Sequence, residues 1–204
     1  MSRVFLSACM AAILWFMMFS PWTSGIFNFW LSMSVSACLL GIASLSGGGF
    51  PVKGRIHVTR ETALGLLIAA VLWCAFWMGD KVAQYMFSFA GTQIDMIYDM
   101  GDGTPKWVIG LLLLLVIGPA EEIFWRGYIQ RKTSERYGRW QGFALTWMCY
   151  TLVHVWSGNL MLLLAAAACG FCWGMLYLLM PKRFVAIMVS HAIWDVAAFV
   201  LFPF

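Results

Sequence analysis

Charge is what this sequence has least of. Asp, Glu, Lys and Arg make up 11% of its 204 residues, against 62% hydrophobic side chains, and its mean hydropathy is +0.82. A soluble domain carries about a quarter of its residues charged, so this composition excludes that class and points to an integral membrane protein. Histidines number three and acids nine, so any ionisable side chain inside an apolar run needs a reason. The net charge of +4 calls for no nucleic-acid partner, because the basic residues follow the membrane topology described next.

What the sequence has in quantity is apolar runs. A helix crosses roughly 30 Å of hydrocarbon in about 20 residues, and seven runs approach that length: 4–19, 27–45, 62–78, 107–130, 142–156, 160–179 and 184–202. The expected fold is all-α, a polytopic membrane bundle of about seven transmembrane helices around a polar cavity. One domain spans 1–204, with N-terminal helices and a connector over 1–106 and the catalytic core helices over 107–204. Ser20-Pro21 stops the first helix and Ser46-Gly47-Gly48-Gly49 the second, while Thr59 or Thr62 is placed to cap the third. In the connector, 82–89 reads as a helical extension or an interfacial turn. The stretch 91–105, with Asp95, Asp99 and Asp102, reads as a solvated loop.

Lys and Arg near helix ends stay on the cytoplasmic side. With the N-terminus inside, that side receives Arg3, Lys53, Arg55, Arg60, Arg126, Arg131, Lys132, Arg136, Arg139, Lys182 and Arg183, and only Lys81 and Lys106 fall outside. The C-terminus is then outside, and a bacterial or archaeal cytoplasmic membrane is the expected location. Leu6-Ser7-Ala8-Cys9 has the residue types of a lipoprotein box, but eight residues before the cysteine leave no room for an apolar region ahead of it. The first helix therefore reads as a retained anchor. The six cysteines fall almost wholly within spans and read as reduced, buried small hydrophobes. Cys169 and Cys172 form a C-x-x-C without a second ligand pair, which favours a structural role.

Five ionisable groups remain inside the spans: Glu121, Glu122, His154, His191 and Asp195. A charge at the bilayer centre costs about 2.5 to 3.5 kcal/mol on insertion scales, so these groups need partners or a purpose. At about 1.5 Å per residue Glu121 lies roughly 15 Å deep, His154 roughly 20 Å and His191 roughly 12 Å, close enough to share one layer. Asp195 stands one turn beyond His191 on the same face. Glu122 and Arg126 are spaced i, i+4 with the acid first, the favourable order for a helical ion pair. That pair leaves Glu121, about 100° round the helix, to face a cavity, and Pro119 and Gly118 just before it loosen the helix.

The chemistry open to such a set is hydrolysis by an activated water. A buried glutamate is a competent general base, an imidazole shares or orients the water, and a second imidazole with its acid meets the oxyanion of a scissile carbonyl. Ser190 points about 100° away from His191 and carries little weight as a nucleophile. Each piece has a blander reading as well. Glu122 with Arg126 reads as a structural pair, His154 as a polar anchor at the outer interface, and His191 with Asp195 as a bond holding two helices together. Ala166, Gly170 and Gly174 are spaced for close helix packing.

Three motifs in order, Glu121-Glu122-Ile123-Phe124-Trp125-Arg126-Gly127, Tyr150-Thr151-Leu152-Val153-His154 and His191-Ala192-Ile193-Trp194-Asp195, resemble those of the CAAX prenyl protease and Abi family of glutamic intramembrane proteases. The resemblance covers 119–195. It implies that Glu121 activates a water with His154, that His191 and Asp195 stabilise the oxyanion or hold the water, and that Glu122 and Arg126 support them. Trp125 and Tyr150 replace the more usual Phe, and Asp195 replaces the Asn of the best-known members. An ionised Asp195 would oppose an oxyanion, so the replacement points to a protonated acid or to a role in orienting His191. The family has also been read as zinc-dependent, but the resemblance favours hydrolysis without a cofactor.

The expected activity is an intramembrane endopeptidase acting on a membrane-anchored protein or peptide, with C-terminal sorting tails and exported peptides among its candidate substrates. Two alternatives use the same residues: a non-catalytic immunity or scaffold protein on this fold, and a small proton-coupled transporter with the acids and histidines as a relay. The transporter reading lacks the inverted repeat and paired broken helices expected of it.

Overall fold

The computed structural model describes residues 2–52, 54–101 and 103–204. Lys53 of the basic loop and Asp102 of the connector lie outside the described residues. The chain is all-helical among these residues, with α1 (Ser2–Phe19), α2 (Phe29–Ser46), α3 (Val58–Met86), α4 (Ala90–Asp99), α5 (Lys106–Tyr137), α6 (Arg139–Leu152), α7 (Leu160–Leu179) and α8 (Pro181–Leu201). Six of these, all but α4 and α6, are long and apolar enough to cross a membrane.

The run expected as the fifth span is the shortest of the seven. It forms α6, of 14 residues, followed by a 3₁₀ turn at Val155–Ser157, and at about 1.5 Å per residue the helix itself reaches roughly 21 Å. Small residues on α7 let α6 lie close: a Cβ on Gly170 would come 2.8 Å from Tyr150 Cδ1, and one on Gly174 3.0 Å from Phe143 Cε2. Those two glycines pack as their spacing suggests, whereas Ala166 faces the cavity described below.

α8 packs against both α3 and α5, and again glycine allows the approach. A Cβ at Gly65 would meet Val189 Cγ1 at 2.7 Å, and one at Gly118 would meet Ala192 Cα at 2.8 Å. Glu61 joins the starts of α3 and α8, accepting from Arg183 Nη1 at 2.7 Å and from the Ala186 N–H at 3.3 Å. The expected threonine cap on α3 is absent; the preceding residue is His57, which makes no capping bond with its side chain. On α2 the cap is Asn28, whose Oδ1 accepts from the Leu31 N–H at 3.0 Å.

The connector departs most from expectation. α3 runs unbroken to Met86, so the 82–89 stretch begins as a helical extension. The presumed solvated loop is largely α4, and contacts to distant parts of the chain hold it. Gln93 receives the Asn159 side-chain N–H on its carbonyl at 2.7 Å and the Met161 backbone N–H on its Oε1 at 3.0 Å, while Tyr98 Oη–H donates to the Ala198 carbonyl at 3.2 Å. Partners so far along the chain leave no local pattern to read.

α5 carries the Glu-Glu pair and is wound unevenly. Widened π turns at Leu113–Ile117 and Ile123–Gln130 flank the α-helical turn Gly118–Glu122. Pro119 has no N–H, and its ring presses on the carbonyl one turn earlier, which accounts for a widened turn ahead of it. All six cysteines are free, but burial is expected of them and holds fully for Cys169 alone. Cys38 and Cys74 lie exposed on the outward faces of α2 and α3, among apolar side chains such as Leu39 and Val71 that suit lipid.

Candidate active site

A cavity of about 130 Å³ opens between the helices, and Glu121 from α5, His154 after α6, and His191 and Asp195 from α8 all line it. That is room for several waters, and the polar groups to bind them are present. Phe19, Trp30, Met33, Ile117 and Phe199 make much of the remaining wall, leaving an apolar pocket with a few convergent polar groups. Glu122 and Arg126 do not reach the cavity; they stand behind it, exposed to 0% and 1% respectively.

One residue step along α5 therefore separates two environments. Glu121 accepts one hydrogen bond, from Tyr150 Oη–H at 3.2 Å. Glu122 accepts two on the same oxygen, from Arg126 Nη1 at 3.0 Å and from His191 Nδ1–H at 2.7 Å. Arg126 spreads from there: its Nη2 lies 3.5 Å from the carbonyls of Cys169 and Gly170, and its guanidinium sits 4.8 Å over the Tyr150 ring. The ion pair expected between Glu122 and Arg126 is present, and it also ties α5 to α6, α7 and α8.

His191 is held differently from the sequence expectation. Its Nδ1 bonds Glu122, its ring stacks on Trp173 with centroids 4.0 Å apart and planes 18° apart, and Asp195 Oδ2 lies 3.7 Å from Nε2, beyond hydrogen-bond length. The α8 histidine thus binds across to α5, while its neighbour Asp195 shares the cavity without bonding it. Ser190 is buried and engaged, accepting from Trp173 Nε1–H at 3.0 Å and donating to the Ile187 carbonyl at 2.7 Å.

His154 is buried rather than an interfacial anchor. Its Nδ1–H donates to the Tyr150 carbonyl at 2.8 Å, and its Nε2 accepts from Trp15 Nε1–H at 3.2 Å. Tyr150 thereby touches both candidate groups, Glu121 through its hydroxyl and His154 through its backbone. In the sequence Tyr150 stands out only as a motif aromatic and Trp15 not at all, although Trp15 reaches the site from α1, 139 residues away. The polar edge of an aromatic side chain carries no signal of its partner until the helices are in place.

Nδ1 of His154 is on the Tyr150 carbonyl and Nδ1 of His191 on Glu122, and among the described residues no group of three His, Cys, Asp or Glu side chains is placed to hold a metal ion.

Membrane-length helices around a buried cavity with acid and imidazole walls define a polytopic membrane protein with a polar site inside the bundle. Residues 103–197 match the sequence model of the family described as Type II CAAX prenyl endopeptidase Rce1-like. The matched segment contains all four cavity groups and begins after α1–α4. A membrane-embedded endopeptidase is the activity that this match points to. No curated protein and no solved structure matches the chain.

Proposed function

We propose that the chain hydrolyses a peptide bond of a membrane-anchored protein or peptide with a water activated by Glu121, by addition to a tetrahedral intermediate and its collapse, with no acyl-enzyme. The observation that carries this reading is the shared cavity of Glu121, His154, His191 and Asp195, with Glu122 and Arg126 withdrawn from it. Glu121 takes a proton from the water and the hydroxide adds to the scissile carbonyl carbon. His154 Nε2 is the second acceptor for that water. Negative charge develops on the carbonyl oxygen, and a proton on His191 Nε2 is aimed at it from a ring anchored through Nδ1. Asp195, beside that proton, balances the imidazolium instead of meeting the oxyanion. Glu121 then gives its proton to the leaving nitrogen, the C–N bond breaks, and an acid and an amine leave.

The apolar wall suits a substrate segment that arrives from the membrane. C-terminal sorting tails and exported-peptide precursors are substrates of that kind. The test is hydrolysis of candidate precursors by the purified protein in vesicles, with Glu121→Gln and His154→Ala alongside. Wild type cleaves, both variants lose at least a hundredfold at wild-type folding, and a chelator changes nothing. Full activity in Glu121→Gln overturns the mechanism, and chelator inhibition reversed by zinc overturns its metal-free chemistry.

A further inference from the structure

α1 lies at the margin of the bundle, with Phe5, Leu6 and Ile13 turned outward at 60% exposure or more, and outside the segment that matches the family. Two residues of its inward face meet one group. Trp15 is fully buried, donates its indole N–H to His154 Nε2 at 3.2 Å, and packs edge-on against Trp125 with centroids 6.3 Å apart. Phe19, one turn on, lies 5.5 Å from the same imidazole and lines the cavity.

The two bonds of His154 define its tautomer. The Tyr150 carbonyl can only accept, so Nδ1 carries the proton, and Nε2 offers a single lone pair in the ring plane. Trp15 holds that lone pair. A water shared between Glu121 and His154 needs it as well, and a neutral imidazole nitrogen accepts one good hydrogen bond. Occupation by Trp15 and occupation by the water therefore exclude each other.

We infer that Trp15 is an internal mask of the site: its indole N–H keeps His154 from the water until α1 shifts and releases Nε2. The inference rests on the hydrolytic reading above. Phe19 moves with Trp15 on the same helix face, so the same shift opens the cavity wall. A substrate segment entering beside α1 would unmask the site as it arrives.

The experiment replaces Trp15 by β-(3-benzothienyl)alanine, which keeps the bicyclic shape and lacks the N–H, and repeats it with Trp15→Phe. Two readouts are taken: ¹⁵N resonances of labelled His154, and turnover on a cleaved precursor. The expected result is a His154 Nε2 resonance displaced toward that of a free acceptor, with kcat/KM higher by about fivefold, the equivalent of one neutral hydrogen bond of about 1 kcal/mol broken on substrate entry. An unchanged Nε2 resonance in the folded isostere overturns the bond itself. A displaced resonance with slower turnover overturns the mask and makes Trp15 a positioning residue. A displaced resonance in a protein whose wild type cleaves no precursor defeats the hydrolytic reading, and the inference with it, leaving the bond a structural contact.

Discussion

On the cavity side of α5, Glu121 has one phenol for company and an approach from open space. On the packed side, Glu122 is enclosed by a guanidinium and an imidazole, and its other oxygen has no partner. The two residues are adjacent, and about 100° of helical turn is what divides them. A membrane interior tolerates a carboxylate that is paired or one that is put to use; Glu122 is paired with Arg126 and His191, and Glu121, on the reading proposed above, is the one put to use.

That division can be broken from either side. Glu122→Ala is expected to have the largest effect on stability, because it strands Arg126 in a buried site; removing one member of a buried pair costs about 3–5 kcal/mol. Denaturant or thermal unfolding in detergent measures it. Gly127→Ala comes next: a Cβ there collides with the Gly49 carbonyl, between α5 and the end of α2. A loss of about 1–3 kcal/mol is expected for overpacking of this kind, with the hydrolysis rate per folded molecule little changed.

Tyr150→Phe sharpens the cavity side. It removes the hydroxyl bond to Glu121 and keeps the ring under Arg126, so a loss of about 1 kcal/mol, or roughly fivefold in kcat, is expected. Glu135→Ala is the smallest change, since its pairs with Arg131 and Lys132 are exposed and such pairs contribute about 0.2–1 kcal/mol. A Glu135 effect as large as that of Glu122 would show that burial is not what distinguishes the pairs.

Much of this contrast was legible in the sequence, because it rests on spacing. α7 occupies the expected run of 160–179, and the i, i+4 pair Glu122 and Arg126 follows from helix geometry alone. The convergence of Glu121, His154, His191 and Asp195 on one layer follows from depth counting, which errs by several ångströms and is still enough. What stayed hidden depends on contacts between distant helices. His191 bonds Glu122 and not the Asp195 one turn away, because the α5–α8 approach at Gly118 brings the carboxylate nearer. α4 was hidden for the same reason, its polar side chains reading as a loop until Asn159, Met161 and Ala198 supply their partners. Trp15 stands in an apolar run, where nothing in the sequence marks the partner of its indole N–H.

The most direct test is the hydrolysis rate per folded molecule of Glu121→Gln set beside that of Glu122→Gln on the same precursor. The expected result is a loss of at least a hundredfold for Glu121→Gln at wild-type stability, against a Glu122→Gln protein that is less stable but loses less activity in its folded fraction. Equal losses in the two folded variants, or the greater loss in Glu122→Gln, would contradict the division of labour between the two acids.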